Sequence, residues 1–274
     1  MARFTAVHTD PPPGNTLAEE RAQLERAEAE LIAAPPADRP ALKSLLARAD
    51  AVLNTVLPVD AGLISILERC RAIVRTGVGV DNLDVAAATA RGIVVACVPD
   101  ASVEEVSNHA LGLLLACSRK IVRLDRALRS GAWDRTALAP MGTIHGQTLG
   151  LVGFGRIARA LAAKVKALGM RVVACDPYVA AEVVRAAGVE ALELAALLEQ
   201  ADFVSLHVPL APETHHLIGA EQLARMRSSA FIINTARGGL IDQPALVAAL
   251  NAKAIAGAGL DVYEHEPLEP TDPL

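Results

Sequence analysis

Residues 149–178, "LGLVGFGRIARALAAKVKALGMRVVACDPY", decide the fold class of this chain. An apolar run ends in Gly153-x-Gly155-x-x-Ala158, and a stretch with Ile157, Leu161, Val165 and Leu168 at helical spacing follows. Gly169 stops that helix, and a second apolar run ends at Asp176. A strand, a glycine turn, a helix and a second strand make the first half of a dinucleotide-binding unit. The glycines permit a tight turn and close approach of backbone amides to a pyrophosphate, and the helix N-terminus offers that anion partial positive charge. Gly153 and Gly155 are the glycines of this turn. Asp176 stands where a carboxylate accepts hydrogen bonds from an adenosine ribose and disfavours a 2′-phosphate, which selects NAD over NADP. The plainer reading of Asp176 is a turn residue before Pro177.

The alternation of short β-like runs with Ala/Leu-rich stretches continues on both sides, as expected of parallel sheets covered by helices. Upstream, strands are expected at 4–9, 51–55, 72–77 and 93–98, with helices rich in Ala, Leu, Glu and Arg between them. Residues 103–131 read as one long helix, broken at most once. Downstream, strands are expected at 148–155, 171–175, 203–208, 230–235 and 256–262. The 274 residues are 52% hydrophobic and 21% charged, so the chain can bury a large core. A net charge of −5 without a Lys/Arg stripe argues against a nucleic-acid surface. Cys70, Cys97, Cys117 and Cys175 form no CxxC pair. Reduced thiols, no metal centre and a cytoplasmic location are the expectation. No segment has the length or apolarity of a signal peptide or a membrane span.

With "NTARGGLIDQPALVAAL" (234–250) and "GAGLDVYEHEP" (257–267) added, the chain resembles the D-isomer-specific 2-hydroxyacid dehydrogenases. "IVRTGVGVDNLD" (73–84), "VPDASVEEVSNHALGLLL" (98–115), "CDPY" (175–178) and "THHLIG" (214–219) are similar to the branch that contains the C-terminal-binding-protein corepressors. The resemblance runs from about residue 50 onward. It implies an α/β chain of two Rossmann/flavodoxin-like parallel-sheet domains joined by a long helix. Residues 1–100 would be the substrate domain and 101–274 the NAD-binding domain. In the family the chain returns at its C-terminus to the substrate domain, so the last strand and that return are expected to be missing here.

Carried over by position, Arg237 matches the arginine that binds the carboxylate and carbonyl of a 2-oxo acid. The guanidinium fork suits that job because it donates two parallel hydrogen bonds. Glu266 matches the carboxylate that orients the catalytic imidazole, with Glu264 its nearest competitor. Asp261 matches the residue at the nicotinamide end of NAD, unless it only caps a turn. Val208, Thr214, Thr235 and Ala236 match positions lining the cofactor site, and Arg156 with Ile157 match the pyrophosphate turn. Val78 and Gly79 match backbone amides that hold the substrate carboxylate. No His follows Glu266 in this sequence, whereas the family's proton-carrying His comes about twenty residues later. That His is therefore expected to have been cut away. The function implied is NAD-dependent interconversion of a small 2-oxo acid and its D-2-hydroxy acid by a homodimer paired near residues 101–145. The alternative is an NAD(H)-sensing assembly module with little turnover.

Overall fold

The computed structural model describes residues 3–12, 14–34, 39–133 and 141–274. The chain divides into two compact units, Met1–Ser102 and Val103–Leu274.

The first unit carries five parallel strands: β1 (Phe4–His8), β2 (Ala29–Ala33), β3 (Ala51–Asn54), β4 (Ala72–Arg75) and β5 (Val94–Cys97). Helices α1 (Ala18–Arg26), α2 (Arg39–Leu46), α3 (Ala61–Ser65) and α4 (Val85–Ala90) connect them. The strand order is β2-β1-β3-β4-β5, the doubly wound arrangement of flavodoxin-like sheets. Val7, Val52 and Ile73 are fully buried from the three central strands, and Leu42, Leu46, Ile64 and Leu67 pack over them. Asp60 and Asp84 cap α3 and α4 by accepting from the amides of Leu63 and Ala87.

Strand β2 is a correction to the sequence reading. "AELIA" lies in an Ala/Glu/Leu-rich stretch of helical propensity, yet it pairs with β1 from Phe4↔Ala29 to His8↔Ala33. Its alternation of buried Ala29 and Leu31 with exposed Glu30 satisfies a sheet edge, and tertiary pairing outweighs the small intrinsic preference for helix.

The second unit opens with α5 (Val103–Ser118) and α6 (Ile121–Arg129). The expected single break falls at Lys120, whose φ of 54° interrupts the helical path. Six parallel strands follow: β6 (Thr148–Val152), β7 (Arg171–Cys175), β8 (Glu190–Ala191), β9 (Phe203–Leu206), β10 (Phe231–Asn234) and β11 (Gly257–Leu260). Helices α7 (Arg156–Ala167), α8 (Ala181–Ala186), α9 (Leu194–Gln200), α10 (Ala220–Arg225) and α11 (Gln243–Asn251) cover them. The order β11-β10-β9-β6-β7-β8 is the dinucleotide-binding arrangement, with its switch point between β6 and β9. The two-residue strand β8 was not foreseen, because it is too short to carry a periodic pattern. Among the described residues β11 is the last strand.

Alternation along β6 divides its side chains between two cores. Leu149 and Leu151 join α5 and α7 through Ala110, Leu114, Leu161 and Val165. Val152 faces Leu197, Leu198, Leu223 and Leu246 on the other side. Each such fully buried aliphatic side chain contributes about 1.5–3 kcal/mol. Leu168 departs from the stripe read in the sequence. It is the C-cap, past the last turn of α7, and stays 40% exposed. Among the described residues no helix is long and apolar enough to cross a membrane.

Candidate active site

At the end of β6 the chain turns at Gly153, which has φ +93°. A Cβ there would stand 2.7 Å from the carbonyl oxygen of His207, so only glycine allows β6 and the β9 exit to lie this close. Gly155 is the N-cap of α7, and a Cβ on it would meet nothing within 4 Å. Its open face leaves the first amides of α7 free to approach an anion. Arg156 is exposed and Ile157 half-buried on that first turn, while Phe154 and Ala158 beneath are fully buried.

Asp176 ties the end of β7 to this turn. Its Oδ2 accepts from the Phe154 amide at 2.8 Å and its Oδ1 from the Tyr178 amide at 2.9 Å. The turn-capping role is therefore real. Each carboxylate oxygen keeps a second lone pair, so a ribose hydroxyl can still be received there.

The end of β10 builds the other half of the site. Asn234, 1% exposed, donates from Nδ2 to the Arg237 carbonyl at 2.8 Å and accepts the Ala236 amide on Oδ1 at 3.0 Å. One buried amide thus folds 234–237 into a compact turn, a role the sequence reading missed. The only signal for it was a polar residue ending an apolar strand. Thr235 is buried, and its hydroxyl oxygen has no hydrogen-bond partner. Such a group is costly unless a ligand satisfies it. Ala236 is half-buried beside it. Arg237 donates from Nη1 to the Ala236 carbonyl at 2.7 Å, which folds the guanidinium stem against its own turn.

Gly238 lies against backbone: a Cβ there would overlap the Tyr263 carbonyl and the Glu264 amide nitrogen. It brings the segment after β11 into backbone contact with the Arg237 turn. On that segment Asp261 donates its amide to the Asn234 carbonyl at 3.0 Å. Its Oδ1 lies 3.1 Å from Nε2 of His109 on α5, both side chains about half exposed.

Glu266 is exposed, and its Oε1 accepts from the Tyr263 amide at 2.9 Å. Among the described residues no imidazole is hydrogen-bonded to it. Glu264, the competitor, does hold one: its Oε1 lies 2.6 Å from Nε2 of His216, and its Oε2 accepts from the Gln243 amide at 3.3 Å. Partial burial opposes the charge on Glu264, but the His216 bond and the Gln243 amide prevail and lower its pKa.

Between these halves runs the exit of β9. His207 donates its amide to Val152 at 2.7 Å, and its Nε2 meets the Ser205 hydroxyl at 2.9 Å. Burial pushes its pKa down to about 4, so the ring is neutral at physiological pH. Val208 is half-buried beside Gly153. The Thr214 hydroxyl accepts from the Ala211 amide at 2.8 Å and donates to Pro209 at 2.7 Å, so it closes a loop. The structure thus brings Gly153, Gly155, Arg156, Ile157 and Asp176 to one side of the switch point, with Val208 at the turn. Thr235, Ala236, Arg237 and Asp261 stand at the strand ends on its other side. Val78 and Gly79 belong to the first unit, in the bend after β4, with Val78 41% exposed.

The geometry fits a dinucleotide on three counts: the open Gly155 face, the positive-φ turn at Gly153 and the orphaned Thr235 hydroxyl.

Residues 111–274 match the family model described as D-isomer specific 2-hydroxyacid dehydrogenase, NAD binding domain. A glyoxylate reductase from Korarchaeum cryptofilum is 45% identical over 221 residues, covering 79% of this chain and 66% of that protein. A D-3-phosphoglycerate dehydrogenase from Methanocaldococcus jannaschii is 44% identical over 217 residues, 79% of this chain but 41% of the relative. The chain therefore spans less than two thirds of the length of these curated relatives. Among solved structures, a D-lactate dehydrogenase from Aquifex aeolicus, complexed with NAD and lactic acid, superposes with a TM-score of 0.84 at 27% identity. That match covers 96% of this chain and 78% of the other.

Proposed function

The chain belongs to the D-isomer specific 2-hydroxyacid dehydrogenase family, and from that premise we propose that it interconverts a small 2-oxo acid and its D-2-hydroxy acid with NAD(H). The observation that carries this reading is the Arg237 turn, set beside the buried Thr235 hydroxyl at the carboxyl end of β10, where ligands bind in such sheets. Two parallel donors from one guanidinium grip the planar carboxylate and carbonyl of a 2-oxo acid. A module that only senses NAD(H) has no use for such a group.

Bound NADH supplies the hydride that C2 of the oxo acid accepts. The remaining work belongs to this chain. Amides around Gly153–Gly155 and the first turn of α7 hold the pyrophosphate, and Asp176 takes the ribose hydroxyls. Thr235 and Asp261 line the reacting end. Arg237 orients the substrate and concentrates positive charge where the C2 oxygen becomes negative. Glu266 matches the carboxylate that would orient a proton-donating imidazole, and no described residue supplies that imidazole. Titration of NADH by fluorescence, followed by hydroxypyruvate or glyoxylate, tests the reading; absence of saturable NADH binding would reject it.

NADH should bind tighter than NADPH. Asp176 already has both oxygens anchored by backbone amides, so it cannot swing away from a 2′-phosphate. At short range in a partly dry site that repulsion amounts to at least a factor of ten. Parallel titrations of the two cofactors check it, and equal affinities would count against Asp176 as the selector.

A homodimer is the expected assembly. Ile121, Val122 and Leu128 on α6 are 52–55% exposed, and Trp133 is 78% exposed. Apolar side chains grouped in this way suit an interface. Residues 134–140 of the expected interface stretch lie outside the described residues. Light scattering that gives a 28.6 kDa monomer at micromolar concentration would argue against pairing.

A further inference from the structure

We propose that His215, His216 and Glu264 form a binding site for a borderline divalent cation of the zinc class. Their ligand atoms all lie within 4.8 Å of one another. Nothing in the sequence spacing announces the site, because two ligands are adjacent and the third lies 48 residues away.

Adjacent residues in an ordinary turn or strand point their side chains apart. Here His216 has φ +53°, a left-handed conformation that costs a non-glycine residue free energy. The result is two imidazoles stacked with centroids 3.9 Å apart and planes at 27°, so both rings lie on one side of the loop. The conformation is over-determined by neighbouring backbone. The His215 amide donates to Ala211 at 2.9 Å, the His216 amide to Gly239 at 2.8 Å and the Leu217 amide to Thr214 at 3.1 Å. The third ligand is equally well placed. Glu264 is fixed by the Gln243 amide on Oε2 and by its own amide donating to Oε1 of Gln243 at 3.2 Å.

Two imidazoles and a carboxylate are a donor set that zinc takes readily, with a water in the fourth place. Zinc bonds of about 2.0–2.2 Å put tetrahedral ligand atoms roughly 3.3 Å apart. His216 and Glu264, 2.6 Å apart, would separate by roughly 0.7 Å, and ligand atoms that now lie up to 4.8 Å apart would close in around the cation. His215 is exposed, which leaves an entry path and room for the water. The Gln243 amide supplies the outer support that metal-bound carboxylates require. The cation would clamp the loop 211–217 to the segment after β11, across Gly238 and Gly239. It would thereby hold the Arg237 turn from behind.

The test uses the tag-free 274-residue chain, stripped with EDTA and titrated with ZnCl2 by calorimetry in a phosphine reductant. One equivalent should bind with micromolar affinity or better, and the same concentration of Mg²⁺ should give no heat. His216→Ala, Glu264→Gln and His215→Ala should each weaken binding at least tenfold, whereas Cys97→Ser should leave it unchanged. Zn²⁺ should raise the melting temperature of the parent chain and not of the three variants. If circular dichroism shows His216→Ala to be misfolded, the substitution at the exposed position, His215→Ala, decides between the outcomes. No saturable binding, binding that survives His215→Ala and Glu264→Gln, or binding lost in Cys97→Ser would overturn the site.

Discussion

A polypeptide ending at Leu274 is expected to bind NADH yet reduce hydroxypyruvate or glyoxylate about 10²–10⁴-fold below an ordinary dehydrogenase turnover of roughly 1–10³ s⁻¹. The cofactor half depends on Gly153, Gly155, the α7 N-terminus and Asp176, all in place within the second unit. Arg237 stands on a turn fixed by a fully buried asparagine. What this polypeptide lacks among its described residues is an imidazole on Glu266, whose Oε1 is instead taken by the Tyr263 amide. Positioned proton transfer contributes about 10²–10⁴-fold, so its loss sets the size of the deficit. Stopped-flow loss of NADH absorbance measures the rate. Added imidazole, a diffusible proton donor, should recover part of it. A rate already in the ordinary range would show that an upstream histidine serves. His216, the ring already bonded to a carboxylate, would then be the first to replace with alanine.

The largest stability effect should come from Gly238→Ala. A methyl group there runs into the Tyr263 carbonyl and the Glu264 amide nitrogen. Backbone cannot rotate out of the way as a side chain can, so relief requires β10 and the post-β11 segment to part. Overpacking of this kind costs about 1–3 kcal/mol and here falls at the upper end. For a domain of this size that lowers the melting temperature by about 6–12 °C. Gly239→Ala is the matched control. Its added methyl would meet Leu210 side-chain carbons at 3.3 Å and His215 at 3.7 Å, contacts a flexible side chain can absorb. Differential scanning calorimetry on the two variants checks the contrast, and similar melting temperatures would refute the backbone-contact argument. Gly238→Ala should also weaken NADH binding, because Asp261 and Thr235 are held through the same turn.

Residues 149–178 determined the dinucleotide-binding half by themselves. Strand, turn, helix and returning strand are contiguous, so their register is a matter of local geometry: Gly153 must turn, Gly155 must stay bare and Asp176 must end β7. Arg237 was placed by the resemblance of its motif, whereas the turn that carries it, folded by the buried Asn234 amide, came to light only in the structure.

Other features were settled only by chain segments meeting in space. Strand β2 has a helix-like composition and becomes a strand because β1 offers an edge to pair with. The strand order of each sheet is a choice among crossovers that no local pattern records. The need for glycine at 238 is set by the Tyr263 backbone, a distant stretch of chain that lies where a Cβ would stand. The imidazole bonded to Glu264, on His216, was not foreseen, because the two residues are far apart in sequence. Asp261 met His109 from the far end of the unit. A hydrogen bond is decided by distances of a few tenths of an ångström, and between residues far apart in sequence those distances exist only once both cores have packed.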